Sequence, residues 1–203
     1  IGAIVLAAGR SSRMGARNKL LVDIDGKPMV RHAVEAAVAS RAAPVVLVTG
    51  HEADRVAAAV EDLPVAVHHN PAFAEGLSTS LGTGLSALPE GLDGVVVVLG
   101  DMPSVSAADV DRLIEAFSPE ANALVVLSTR AGRRGNPVLW AARFFPALAA
   151  VAGDVGGREL IAAHPEAVVE VEIGEAAAAD IDTPEALERY LAGGTASPEA
   201  QDA

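Results

Sequence analysis

Arg10, Arg13, Arg17 and Lys19 follow directly on an apolar run, Ile4–Ala8, that stops at Gly9. The chain has 203 residues, with 15 Lys and Arg against 27 Asp and Glu and a net charge of −12, so a local cluster of cations needs a reason. A glycine-rich turn leaves backbone N–H groups free to point at an anion. Arginine grips a phosphate through two donors, and lysine adds a point charge. The stretch LAAGRSSRMGARNKL, from Leu6 to Leu20, therefore has the chemistry of a polyphosphate loop. Its spacing is not the dinucleotide fingerprint G-x-G-x-x-G. It is not the P-loop either, because Ala16 rather than Lys follows Gly15. A solvated loop with surface arginines is the alternative.

Two acidic stretches lie further along. Asp101, in Leu99-Gly100-Asp101-Met102-Pro103, comes just past a valine-rich run. An aspartate there suits Mg²⁺, a hard cation that takes oxygen ligands and bridges phosphates; a turn or helix cap would use the same residue type. Asp180-Ile181-Asp182-Thr183-Pro184-Glu185 precedes the last helical pattern. Thr183 before Pro184 suits an N-cap with proline at the first helical position. The i, i+2 spacing of Asp180 and Asp182 also lets both carboxylates project to one side of an extended segment, as the second half of a metal site. His68 and His69 are adjacent and alternate sides in a strand, which makes a poor chelate, and His51 suits a loop role. Met14 is read as loop packing and Trp140 as core or pocket wall. Arg133 and Arg134 suit either an acceptor phosphate or a solubilised hairpin.

These residues must be positioned by an alternation of strands and helices. The pattern predicts strands over Ala3–Ala8, Pro44–Thr49, Val65–His68, Gly94–Leu99, Ala123–Leu127 and Val168–Ile173. Helices are predicted over Met29–Ala39, Ala53–Glu61, Ser78–Leu88, Ala107–Phe117, Arg158–His164 and Pro184–Leu191. Continuous runs such as Val95–Val98 suit strands buried on both faces. The expected fold class is α/β: a three-layer α/β/α arrangement around a mostly parallel sheet. Arg130–Trp140 is read as a hairpin or loop excursion. Ligands in such sheets bind beyond the carboxyl ends of the strands, which is where Gly9–Lys19 and Asp101 fall.

Length and composition bound the rest. One domain over residues 1–192 is expected, followed by a small, polar, disordered tail over 193–203. Aromatics are only 3%, so the core must be aliphatic. The acidic balance argues against a general nucleic-acid partner. The absence of cysteine excludes disulfides and thiolate metal sites, and it fits a cytoplasmic protein. No apolar stretch is long enough to span a bilayer, and the opening residues do not resemble a signal peptide.

Taken together, the motifs resemble the MobA-like nucleotidyltransferases, and within them the molybdenum cofactor cytidylyltransferases. The resemblance runs in order through LAAGRSSRMGARNKLL (Leu6–Leu21), NPAFAEGLSTSL (Asn70–Leu81), GDMP (Gly100–Pro103), RGNPVLW (Arg134–Trp140), GDVGGREL (Gly153–Leu160) and DIDTPEAL (Asp180–Leu187). It departs at Gly156-Gly157-Arg158, where the family often has Gly-Ala-Arg. It also departs in the three residues Ala16, Arg17 and Asn18 between Gly15 and Lys19.

The resemblance implies a Rossmann-like nucleotidyltransferase fold and a role for each matching residue. Leu6, Ala7, Ala8 and Gly9 would line the base and sugar. Arg13, Gly15 and Lys19 would hold the triphosphate, with Arg13, Lys19 and Asp101 carrying catalysis. Asp101 and Asp182 would bind Mg²⁺, and Asp180 is a further candidate. Asn70, Gly76, Ser78 and Ser80 would lie near the base or ribose. Gly135, Asn136, Pro137, Asp154 and Arg158 would face the acceptor. Guanylyl-transferring relatives carry Gly-Gly where this chain has Ala8-Gly9, which favours CTP over GTP. The implied reaction moves CMP from CTP to the terminal phosphate of molybdenum-bearing molybdopterin, with a molybdoenzyme or its maturation factor as downstream partner. The alternatives are a nicotine-blue-reductase-like oxidoreductase on the same scaffold, or nucleotidyl transfer to another phosphorylated small molecule.

Overall fold

The computed structural model describes residues 1–11, 18–150, 157–178 and 180–192. Arg13, Gly15 and Asp154, and the tail expected beyond residue 192, lie outside the described residues.

Seven strands form the main sheet: β1 (Gly2–Ala7), β4 (Val45–Thr49), β5 (Ala66–His69), β6 (Gly94–Leu99), β7 (Val125–Arg130), β8 (Arg133–Ala141) and β9 (Val168–Glu172). A short antiparallel hairpin, β2 (Asp23–Ile24) with β3 (Lys27–Pro28), stands apart. The order across the sheet is β5-β4-β1-β6-β8-β7-β9. β1 pairs in parallel with β4 and β6, β4 with β5, and β7 with β9. β8 runs antiparallel to both of its neighbours. The helices are α1 (Met29–Ala39), α2 (Ala53–Ala58), α3 (Leu77–Ala87), α4 (Ala107–Ala116), α5 (Phe145–Ala150), α6 (Arg158–Ala163) and α7 (Pro184–Leu191).

The inner strands β1, β4, β6 and β7 are buried on both faces, and the period of two along each strand sorts its side chains. Ala3, Val5 and Ala7 of β1, with Leu47, Val96 and Val98, pack against α1 and α4 through Val30, Val34, Val110 and Leu113. Ile4 and Leu6, with Val46, Val48, Val95 and Val97, face the opposite cluster, which holds Leu81 of α3 and Leu148 of α5. This is the three-layer arrangement the valine runs imply. A third, small cluster joins Ile24 and Met29 to Ile181 and Ala186, docking α7 on the β2–β3 hairpin. Among the described residues, no helix is long and apolar enough to cross a membrane.

Most predicted elements appear within a few residues of their expected limits. The Arg130–Trp140 segment takes the hairpin alternative rather than the loop excursion: it turns through Ala131 and Gly132, both at positive φ, and returns as the internal strand β8. Its charged, Gly- and Pro-containing first half hides the apolar second half, Val138–Ala141, that pairs with β6. α5 was not expected, because FPALAA is too short for a helical period to show.

Candidate active site

A cleft of about 340 Å³ opens beyond the carboxyl ends of β1 and β6. Its apolar side comes from Leu6, Ala8, Phe73, Leu77 and Leu99, and its charged end from Lys19 and Asp101. Backbone contacts shape it. Gly100 donates its N–H to the Leu6 carbonyl at 2.9 Å, and His51 donates to the Ala8 carbonyl at 3.3 Å. Gly50, at the end of β4, is required by a close approach, because a Cβ there would lie 2.6 Å from the Cβ of Phe73. Phe73 in turn carries the Arg10 guanidinium 5.7 Å from its ring centre.

Lys19 opens a 3-10 turn, Lys19–Leu21, and its backbone is fixed by two short side chains. Its N–H donates to Ser11 Oγ at 3.1 Å, and Asn18 Oδ1 accepts from Leu20 N–H at 3.1 Å. Asn18 is buried, and its Nδ2 donates to the His51 carbonyl at 3.5 Å, tying the loop after β1 to the loop after β4. From this base the Lys19 ammonium donates to both Asp101 Oδ2 and Asp182 Oδ1. The Lys19 side chain is 12% exposed, Asp101 16% and Asp182 38%. Burial acts to lower the Lys19 pKa, but Asp101 first and then Asp182 outweigh it, and the ammonium is held above its usual value.

Asp182 reaches Asp101 because Ile181 donates its N–H to the Asp101 carbonyl. The sequence fulfils its capping pattern just beyond: Thr183 Oγ1 accepts from Ala186 N–H at 3.2 Å, with Pro184 opening α7. Asp180 lies on the same segment. Desolvation, and then the charges of Asp101 and Asp182, raise its pKa. Among the described residues no three His, Asp or Glu side chains gather into a metal cage, so Asp101 and Asp182 stand as a pair.

The cleft brings together Leu6, Ala7, Ala8, Gly9, Lys19, Gly76, Ser80 and Asp101 of the expected set. Asn70 and Ser78 are not among its lining residues. Asn70 is buried behind the wall, where its Nδ2 donates to Thr79 Oγ1 at 2.9 Å and to Ser80 Oγ at 3.0 Å, and its Oδ1 accepts from Ala72 N–H. It holds the start of α3 in place. Gly135, Asn136, Pro137 and Arg158 also lie outside the cleft lining. Gly135 has a packing reason of its own, since a Cβ would fall 1.9 Å from the Ala177 carbonyl oxygen. Arg10, Phe73 and Leu77 line the cleft and were not among the expected site residues. One signal was available: Phe73 is one of only four phenylalanines, and an aliphatic core has little need of it.

Similarity to known proteins places this geometry in a family. The profile of the MobA-like NTP transferase domain matches residues 3–168, and the chain belongs to that family. The bifunctional protein GlmU of Agrobacterium fabrum is 36% identical over 129 residues, covering 61% of this chain and 28% of that protein. The chain thus spans little more than a quarter of the length of this relative. The nicotine blue oxidoreductase of Paenarthrobacter nicotinovorans is 30% identical over 194 residues, covering 93% of this chain and 95% of that one. Rv0371c of Mycobacterium tuberculosis H37Rv has a solved structure with a TM-score of 0.80 and 27% identity, covering 95% of this chain and 98% of that one. A structure of Rv0371c in complex with manganese has a TM-score of 0.77 and 25% identity, covering 94% of this chain and 97% of that one.

Proposed function

We propose that this chain transfers a nucleotidyl group from a nucleoside triphosphate to a phosphorylated acceptor, with CTP as donor and the terminal phosphate of molybdenum-bearing molybdopterin as acceptor. The observation that carries this reading is Lys19 held between Asp101 and Asp182 at the charged end of a cleft whose other side is apolar. Family membership supports the reaction class. The motif order and Ala8-Gly9 support the acceptor and CTP.

In this reading Leu6–Gly9 and the Phe73–Leu77 wall enclose base and sugar, while Lys19 and Arg13 bind the triphosphate. Asp101 and Asp182 would hold Mg²⁺: a pair of hard carboxylates already around a cation suits an ion that takes its remaining ligands from water and phosphate. That Rv0371c forms a complex with manganese supports a divalent ion for a chain of this fold. When bound, the ion supplies charge neutralisation across donor and acceptor oxygens. An acceptor phosphate oxygen attacks the α-phosphorus. One P–O bond forms, the bond to the β-phosphate oxygen breaks, and pyrophosphate leaves with that electron pair. The nucleophile is already ionised near neutral pH, so no histidine base is required. Lys19 stabilises charge on the departing pyrophosphate, and catalysis rests on positioning and electrostatics. We read residues 1–192 as one domain serving this reaction, working in the cytoplasm, and Gly135–Pro137 with Asp154 and Arg158 as its acceptor side.

Calorimetric titration with CTP, GTP and ATP, with and without Mg²⁺, tests the donor; pyrophosphate release on adding molybdopterin tests the acceptor. Mg²⁺-dependent CTP binding, weaker for GTP, is the expected result. A second reading, reduction of a pigment by a nicotinamide, is favoured by the nicotine blue oxidoreductase match across nearly the full length of both chains. The missing dinucleotide fingerprint counts against it. NADH binding without triphosphate binding would put it first.

A further inference from the structure

The Lys19 ammonium stands between Asp101 and Asp182 and donates to both. Lys19 takes one oxygen of each carboxylate, Asp101 Oδ2 and Asp182 Oδ1, so a divalent ion placed between the two would share that gap with it. It would also meet the ammonium at contact distance, where like charges repel strongly in a partly buried site. The two cations therefore compete for one position. The backbone on each side is fixed: Ser11 and Asn18 hold the Lys19 turn, and the Ile181–Asp101 hydrogen bond holds the carboxylates. The part left to move is the flexible four-carbon stem of Lys19.

We propose that Lys19 is a resident counter-cation that a metal must displace, and that a triphosphate opens the metal position by drawing Lys19 onto its phosphates. The inference rests on the nucleotidyl-transfer reading for the identity of the two ligands. Lys19 then serves two partners in turn. With Asp101 and Asp182 it neutralises a buried carboxylate pair, and with phosphate it leaves that pair to the metal. Metal bound without nucleotide is disfavoured, and nucleotide and metal enter with positive coupling that belongs to the protein.

Mn²⁺ binding in the absence of nucleotide, read from the spin-resonance signal of the free ion, tests this. The chains compared are wild type, Lys19→Met, Lys19→Gln and Arg10→Met. Lys19→Gln keeps an uncharged donor for the carboxylates and covers the case in which Lys19→Met does not fold. Both Lys19 variants are expected to bind Mn²⁺ about ten-fold or more tightly than wild type. Adding Asp182→Asn to Lys19→Gln is expected to remove that gain. Arg10→Met, a cation of the same cleft that is not between the carboxylates, should change binding by no more than about two-fold. Lys19 variants that bind no more tightly than wild type overturn the proposal. So does equal tightening in Arg10→Met, which would make the effect a general field. Pyrophosphate release by the wild-type chain is scored separately. If it persists while the Lys19 variants fail to gain Mn²⁺, the exchange falls and the nucleotidyl-transfer reading stands. If the gain is present and no triphosphate yields pyrophosphate, the reading falls and Lys19 remains the occupant the metal displaces.

Discussion

Ile181 donates its backbone N–H to the carbonyl oxygen of Asp101 at 3.1 Å, joining the turn after β6 to the segment before α7. Its side chain is fully buried beside Ile24, Met29 and Ala186. Side chains alternate along an extended segment, so burying Ile181 turns Asp180 and Asp182 away from that small core. A hydrophobic contact thereby aims a carboxylate at Lys19.

Ile181→Ala should therefore weaken both stability and activity. Truncating a buried isoleucine costs about 2–5 kcal/mol, visible as a lower melting temperature. Met29→Ala, in the same cluster, serves as the control: it should destabilise comparably while sparing more of the turnover. Equal loss of turnover in both variants would show that Ile181 does not aim Asp182.

Lys19→Ala and Asp101→Asn should each lower turnover by about two to three orders of magnitude, the scale of losing one preorganised charge in a water-poor site. Far-UV circular dichroism should stay at the wild-type signal. Near-native turnover in either variant removes that residue from the mechanism.

Phe73→Ala should separate base from phosphate recognition. Losing a stacking or apolar wall costs roughly 1–3 kcal/mol per base, so CTP affinity should fall about ten-fold or more while pyrophosphate affinity stays unchanged. Calorimetry with both ligands reads the difference; a parallel loss for pyrophosphate would move Phe73 to a purely structural role.

Gly135→Ala forces a methyl into the Ala177 carbonyl. Overpacking of this kind costs about 1–3 kcal/mol. The melting temperature should drop, and CTP affinity should hold, since Gly135 is not part of the cleft lining.

Acid stability should depend on Asp62. The Arg31 guanidinium donates to both its oxygens, at 2.6 and 2.7 Å, and holds its carboxyl down at about 2. A depressed carboxylate stabilises the fold above its unfolded pKa, roughly 3.9, and loses that contribution as pH falls through the folded value. Asp62→Asn should flatten the fall in stability between those two pH values, as read by urea denaturation. An unchanged acid limb would show that the pair contributes nothing measurable.

Much of this was legible in the sequence. Met29–Ala39, Gly94–Leu99 and Pro184–Leu191 appear at their expected limits, because strong periodicity, continuous valines and a Thr-Pro cap each leave a local trace. The cleft's Leu6–Gly9, Lys19 and Asp101 were legible through glycine punctuation and charge after apolar runs. Other features left no local trace. The Lys19 contacts span 82 and 163 positions of sequence, so nothing near Lys19 announces them. Asn70 is expected near the base or ribose from its motif, and nothing in that motif announces that its amide donates to Thr79 and Ser80. β8 was legible only as one arm of a hairpin, because its charged half precedes its buried half.

Among the described strands of the main sheet, only β8 runs against its neighbours. It divides the sheet into two parallel blocks, β5-β4-β1-β6 and β7-β9, joined back to back. The named cleft residues precede that joint in the chain, whereas Gly135–Pro137 belong to the joint itself. The register that forms the floor of the cleft, β1 between β4 and β6, is therefore built entirely within the first block.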